Sequence, residues 1–299
     1  MNFLLSTGNR RSRKLVWSKV MKSNLFQMNL DTSDKHARVA IIVTCYNLGE
    51  YLSECLESVL AQTMEDWVCI VIDDGSTDNT TEIAGRYTSI STKIHYHFQK
   101  NKGLAAARNK GIALTQSEFI LPLDADDILD PRYLEEVTSL FEQEPSIKIA
   151  YTRVKRFGAE EKEYILQDYS FKQLLQGNMI TATALYRRKD YDATSGYDSK
   201  LRGWEDWDFW VSLLNRDDKV AKHPEMLFWY RKRPGSMVSS ISTRNAAFNK
   251  RYVFIKHAKK YRQLDDFSDG YNYAKQLLRF ERKRLKLWLK EIGFIEIKD

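Results

Sequence analysis

From residue 39 to residue 142, short apolar runs alternate with amphipathic stretches. Val39-Ala-Ile-Ile-Val43 and Val68-Cys-Ile-Val-Ile72 are unbroken and rich in β-branched residues. Such runs predict strands buried on both faces of a parallel sheet. Between them, Tyr51, Leu52, Cys55, Leu56, Val59 and Leu60 recur at helical spacing within residues 49–62. After the second strand, Ser/Thr capping residues introduce a helix predicted from about residue 78 to 88. A weaker strand over Lys93–Phe98, an Ala-rich helix over Gly103–Leu114 and a strand over Phe119–Leu123 follow. A helix over Pro131–Glu142 and a strand over Ile149–Val154, a later addition to the sheet, complete the pattern. This alternation predicts an α/β doubly wound sheet.

The flanks read differently. Residues 1–37 are polar and basic with weak periodicity, as in a flexible segment or one loose helix. Residues 190–230 are rich in Trp, Tyr and Phe. Residues 245–299 read as helical, broken near Phe267-Ser-Asp-Gly270. There Leu277, Leu278, Leu285, Trp288, Leu289 and Ile292 line one face among Lys and Arg, to pack on the domain or to lie on a membrane surface. The boundaries expected are a basic segment 1–37, an α/β domain 38–240 divided at about residue 130, and a basic helical extension 241–299.

Charge is partitioned in the same way. The net +7 divides into +6 over residues 1–38, −6 over 39–244 and +7 over 245–299. Basic tails suit an anionic lipid surface or nucleic acid, and serve equally as solvated polar faces. The acidic middle has no basic stripe with interleaved aromatics, which disfavours nucleic acid. No apolar stretch approaches the ~18 residues of a membrane span, and Met1-Asn-Phe-Leu-Leu-Ser6 is too short for a signal core. Cys45, Cys55 and Cys69 form no CxxC pair and lie in apolar segments, as core thiols in a reducing compartment do. A cytoplasmic protein, soluble or peripheral at the inner face of the cell membrane, is expected.

The acids themselves are clustered. Asp73-Asp74 ends one apolar run and Asp124-Ala-Asp126-Asp127 ends another. A third cluster, Glu205-Asp206, lies in Gly-Trp-Glu-Asp-Trp-Asp-Phe-Trp. Crowded carboxylates repel, and all-oxygen ligands favour a hard cation such as Mg2+ or Mn2+. In doubly wound sheets, ligands bind outside the carboxyl ends of the strands, where the first two clusters are predicted to sit.

Five segments together resemble the family-2 glycosyltransferases of GT-A fold: Val39-Ala-Ile-Ile-Val-Thr-Cys-Tyr-Asn47, Val71-Ile-Asp-Asp-Gly-Ser-Thr-Asp-Asn-Thr80, Gly103-Leu-Ala-Ala-Ala-Arg-Asn-Lys-Gly111, Leu123-Asp-Ala-Asp-Asp127 and Trp204-Glu-Asp-Trp-Asp-Phe209. Each is weak alone; their shared order and spacing carry the resemblance, over about residues 38–240. It implies a Rossmann-like, mostly parallel sheet and inverting transfer from a nucleotide-sugar donor, by default a UDP-sugar, to a glycan or lipid-linked acceptor. Thr44, Tyr46, Asn47, Asp73 and Asp74 would serve the donor, with Asp73 open to a capping role. Asp124 would face the ribose or sugar, Asp126 would hold the metal and Asp127 is a second ligand candidate. Asp206 matches the family's catalytic base, and Trp204 and Glu205 beside it would meet the acceptor. Arg108 and Lys102 are candidates for the donor, whereas Asn109 fits a role in ordering backbone. At least one of Trp207 and Trp210 belongs to the core.

Two departures shape the reading. Where many relatives have a His in the segment like Tyr230-Arg-Lys-Arg-Pro-Gly-Ser236, this chain has Arg233, which cannot ligate a metal but can clamp phosphate. The Gln-x-x-Arg-Trp element of processive synthases has only Gln276-Leu-Leu-Arg-Phe280 as a counterpart, so a distributive enzyme is expected. The alternatives are a non-catalytic nucleotide-sugar or carbohydrate binder and a nucleotidyltransferase. The latter would want a Gly-rich phosphate loop where Thr44-Cys-Tyr-Asn-Leu-Gly49 stands.

Overall fold

The apolar runs pair with one another because a strand apolar on both sides is satisfied only between two neighbours and beneath helices on both faces. The computed structural model describes residues 36–201, 203–236 and 243–261. Strands β1 (Val39–Cys45), β2 (Trp67–Asp73), β3 (Ile94–Phe98) and β4 (Phe119–Asp124) are parallel and lie in the order β3-β2-β1-β4. Helices α1 (Gly49–Leu60), α2 (Thr80–Ile90) and α3 (Leu104–Ala113) make the crossovers. Alternation along β1 divides the core. Val39, Ile41 and Val43 pack with α1 and α2, and Ala40 and Ile42 with α3. A Cβ on Gly111 of α3 would come within 2.4 Å of the Ile42 side chain, so glycine lets this helix lie close on β1. In register, Cys45 pairs with Asp73 and Thr44 with Asp124, which puts both acids at one sheet edge on either side of β1.

The second half extends the sheet with mixed directions. It contributes β5 (Ile128–Leu129), α4 (Tyr133–Gln143), β6 (Ile147–Gly158), β7 (Lys162–Tyr164), α5 (Phe171–Leu174), β8 (Leu185–Arg187), α6 (Arg188–Asp192), α7 (Glu205–Leu213) and β9 (Lys219–Lys232). The order continues β4-β8-β6-β9-β5, with β7 paired to β6. β8 is antiparallel to both β4 and β6, whereas β9 is parallel to β6. The 14-residue β9 is absent from the sequence pattern because Pro224 and Glu225 interrupt it. Thr152 pairs with His223 and Arg153 with Met226, so both residues bulge out of the ladder, as proline's missing N–H requires.

Helices α8 (Thr243–Lys256) and α9 (Ala258–Tyr261) pack on the catalytic half. Val253, Phe254 and Tyr261 join the same core cluster as Trp207 and Trp210. The buried Asp208 of α7 accepts from Lys256 Nζ at 2.7 Å and contacts His257 Nε2 at 2.8 Å. The Asn249 amide donates to Gly203 O at 3.0 Å. This start of the extension therefore packs as a face of the domain. The readings made for residues 1–35 and for the Leu277 to Ile292 face lie outside the described residues. Among the described residues no helix is long and apolar enough to cross a membrane.

Candidate active site

Asp73 and Asp74 part ways at the end of β2. Asp73 is fully buried; it accepts from Ser76 N–H and from the Tyr96 hydroxyl, both at 2.7 Å. It is a structural residue, which excludes the donor contact expected of it. Asp74 accepts from the Gln99 amide at 2.7 Å and from the Lys102 and Gly103 N–H groups at 2.8 Å each. Its carboxylate thus shapes the loop that opens α3. Gly75, at φ 86°, turns the chain beside Asn101, whose N would lie 2.8 Å from a Cβ there.

Asn47, in the left-handed region at φ 53°, accepts from Thr77 N–H at 2.8 Å and donates its own N–H to Ser76 Oγ at 2.9 Å. It ties the loop after β1 to the loop after β2 through its Oδ1 and backbone N–H, and its side chain is exposed at the sheet edge. Tyr46 and the Lys102 side chain are exposed at the same edge.

A buried cation sits at the centre. Arg108 of α3 is 1% exposed. Its Nη2 donates to Asp124 Oδ1 at 3.0 Å and its Nη1 to Glu205 Oε1 at 2.7 Å. Thr44 Oγ1 donates to the same Asp124 oxygen at 3.1 Å. One guanidinium therefore joins the end of β4 to the start of α7. Trp204, at φ 65°, turns the chain into α7, whose first turn holds Glu205, Asp206 and Asp208. Carboxylates there face the helix N-terminus, a favourable place for negative charge. Glu205 is enclosed rather than turned to an acceptor, and its Oε2 has no partner. Burial raises its carboxyl to about 7 although Arg108 opposes the shift. Asp206 is less enclosed; it accepts from Asn178 Nδ2 and Trp207 N–H at 2.8 Å each. Desolvation raises its proton affinity, again against Arg108. A carboxylate so placed is a competent proton acceptor near neutral pH.

The Asp124–Asp127 turn carries the other chemistry. Asp126 Oδ2 accepts from Arg233 Nε at 2.6 Å, and Arg231 Nε donates to Asp126 O at 2.8 Å. Asp127 is 2% exposed and accepts from Arg231 N–H at 2.8 Å. Its proton affinity is raised by burial and by Asp126 and Asp124. Asp127 thus anchors β9 through Oδ1. Among the described residues no three His, Cys, Asp or Glu side chains converge to hold a metal ion by themselves. The donor set still suits a hard cation. Asp126 is an oxygen ligand whose proton affinity is raised by burial and by Asp124, and Mg2+ or Mn2+ needs only one or two carboxylates when a diphosphate supplies the rest.

The remaining expectations fall out simply. Asn109 orders backbone, accepting from Tyr197 N–H at 2.9 Å and donating to Tyr197 O at 2.7 Å. Trp207 and Trp210 are both core, with Trp207 Nε1 donating to Leu174 O at 2.6 Å. Trp204 is partly exposed and packs edge-on against Trp207. His223 lies 3.4 Å from Glu136, away from the acid turn. Sequence reasoning passed over Asn178, which sits in a loop without a motif, and Arg231, which the alternation of β9 places on the same side as Arg233.

The family model for glycosyl transferase family 2 matches residues 40–200. Chondroitin synthase of Escherichia coli is 28% identical over 179 residues, covering 58% of this chain and 26% of that protein. The uncharacterised glycosyltransferase EpsJ of Bacillus subtilis (strain 168) is 28% identical over 215 residues, covering 67% of this chain and 62% of that protein. The chain thus spans between about a quarter and three fifths of the length of these relatives. S. aureus TarS 1–349, in complex with UDP-GlcNAc, superposes with a TM-score of 0.64 at 18% identity, covering 87% of this chain and 76% of that one. The mannosyltransferase PcManGT of Pyrobaculum calidifontis, in complex with GDP-Man and Mn2+, gives 0.56 at 13% identity, covering 96% and 84%. The fold is of the GT-A type.

Proposed function

The chain belongs to glycosyl transferase family 2, and on that premise we propose that it moves a sugar from a nucleotide-diphosphate sugar to an acceptor hydroxyl, with inversion, in surface polysaccharide, glycolipid or glycan assembly. The observation that carries this reading is the buried Arg108 bridge from Asp124, at the strand edge where a donor would bind, to Glu205, the neighbour of Asp206. It ties the carboxylate at the donor edge to the helix turn that carries Asp206. The bound UDP-GlcNAc and GDP-Man of the two fold neighbours support a nucleotide-sugar donor. UDP is the first candidate nucleotide.

Thr44, Tyr46 and the loop held by Asp74 line the nucleoside side. Asp124 meets the ribose or sugar. Arg233, with Lys102 in reach of the same edge, clamps the diphosphate bidentately where a relative would use His. Asp126, seconded by Asp124, would hold Mg2+ or Mn2+, which when bound offsets charge building on the leaving diphosphate. Asp206 accepts the proton of the acceptor hydroxyl as that oxygen bonds to the anomeric carbon. The bond from that carbon to the diphosphate oxygen breaks, and the nucleoside diphosphate departs with the electron pair. One base and no enzyme nucleophile give a single displacement, hence inversion. Trp204 flanks the acceptor side. A screen of nucleotide sugars, with metal titration and hydrolysis as well as transfer followed, tests the reading. No turnover and no binding of any nucleotide sugar would defeat it in favour of a carbohydrate-binding relative.

A further inference from the structure

Strands β6, β7 and β9 carry a surface that the transfer chemistry above does not use. Directly paired residues of a ladder share a face. Arg156 pairs with Lys162 of β7 and with Tyr230 of β9, Val154 pairs with Tyr164, and Gly158 with Lys232. Arg156, Lys162, Tyr164, Tyr230 and Lys232 therefore stand together. The contacts agree. The Arg156 guanidinium lies 4.1 Å from the Tyr164 ring centre, the Tyr164 and Tyr230 rings are 6.5 Å apart, and Lys232 Nζ is 5.8 Å from the Tyr230 ring.

Charge on this face is unbalanced. Glu160 pairs with both Arg156 and Lys162, so one carboxylate serves two cations while Lys232 rests on a ring. Cations laid on rings are already ordered, and binding an anion there costs less side-chain entropy. Lys162 and Tyr164 are exposed; Arg156, Tyr230 and Lys232 are half-buried.

The surface meets the acid turn at Tyr230, whose proton affinity is raised by burial and by the charges of Asp127, Asp124 and Asp126. Residues 231 and 233 alternate with 230 and 232 along the chain. Arg231 and Arg233 turn to Asp126 O and Asp126 Oδ2, and both guanidiniums lie near the Tyr51 ring. Tyr230 and Lys232 point to the other side. From Tyr164 the chain runs on to Asn178, which holds Asp206. Lys162 and Tyr164 of β7 thus stand at the start of the segment that reaches the base.

Resting on the transferase reading, we propose that this face binds the acceptor and that the acceptor is an anionic glycan, carrying carboxylate or phosphate groups spaced along a sugar chain. Tyr hydroxyls and the planar Arg156 fork match such groups with directed hydrogen bonds.

The test uses the full chain and three oligosaccharide probes of equal length: one neutral, one bearing uronate carboxylates and one linked through phosphodiesters. Calorimetry at low and high salt gives binding, and nucleotide-diphosphate binding is measured alongside. The expected result is binding of a charged probe on the order of tenfold tighter than the neutral one, weakened by salt. Lys162→Glu and Lys232→Glu should each weaken that probe by about as much and leave the nucleotide unaffected, while Lys162→Arg and Lys232→Arg keep it. Which charged probe wins separates carboxylate from phosphate. Equal binding of all three probes, or loss of nucleotide binding in Lys232→Glu, would overturn the assignment; the second result would give the face to the donor. Failure of the transferase reading would show instead as no nucleotide binding in the unaltered chain.

Discussion

Asp206 is asked to hold no proton when the acceptor arrives, and its neighbours decide whether it can. Replacing it with Asn keeps the shape and the Asn178 neighbour but removes the acceptor of the proton. Transfer should fall by about 10²–10⁴-fold with donor affinity retained, as general-base removal does; calorimetry and transfer rates measured together check it. The pH profile gives a second handle. Glu205 and Asp206 share one site, and repulsion within the pair raises Glu205 while burial raises both. Burial holds Asp206 above the ordinary aspartate value, so activity should fall as pH drops, over a range higher than an ordinary aspartate would give. The charge of Asp206 is among the causes that raise Glu205, and not the reverse, so Glu205→Gln should leave the acid limb set by Asp206 where it is. Stability runs the other way. The Glu205 carboxyl titrates at about 7 in the fold against an ordinary 4.5, so its stabilising contribution is complete below 4.5 and lost as pH rises through 7. Melting of the wild type and Glu205→Gln across that window checks the sign. At the other end, Asp126→Ala should abolish turnover and remove the metal dependence of nucleotide-diphosphate binding; equal binding with and without EDTA in the wild type would end the metal role.

Helix α7 carries the base, and α8 and α9 hold α7. Asp208 is completely buried and meets His257 and Lys256. Removing it leaves the buried His257 ring without its partner and Lys256 with Asp198 alone, which should cost about 1–3 kcal/mol in urea unfolding. His257→Gln, which can still donate to Asp208, should cost clearly less. The packing of α8 and α9 went unread in the sequence, and the apolar stripe that serves a core or a lipid surface equally, Leu277 to Ile292, lies outside the described residues. The first four strands were legible because each is an unbroken β-branched run buried on both faces, and their acids could be placed because the strand ends follow from the runs. β9 was not legible, since Pro224 and Glu225 break its alternation and its partner β6 lies some 70 residues away. The same limit applied within the site. Asp124, Asp126 and Asp206 stand in motifs, but Arg108 as the bridge between them depends on which way a buried side chain turns. Asp73 and Glu205 look in sequence like their neighbours, and only the donors around them separate structural carboxylates from available ones.

Across the whole molecule, the charge partition of +6, −6 and +7 acquires a sharper meaning once α8 and α9 are seen to pack on the domain. Within the last stretch, Lys256 and Lys260 serve α7, the latter donating to Ser212 O and Leu214 O at 2.7 Å each. Those cations are withdrawn from any surface. What is left outside the described residues is unequal. Residues 1–35 carry seven Lys/Arg against two Asp/Glu, and residues 262–299 carry nine against seven. If the acceptor is lipid-linked, the first of these is the segment that would bring the enzyme to it. Each basic residue near an anionic leaflet contributes about 1 kcal/mol, falling with salt. Sedimentation with anionic vesicles at low salt should therefore recover the wild-type chain, and neutral vesicles should leave it in solution. Changing the seven basic residues of 1–35 to Gln should abolish the recovery, and changing the nine of 262–299 should weaken it less. Equal recovery with neutral vesicles, or none with either kind, would separate the basic tails from any role at a membrane.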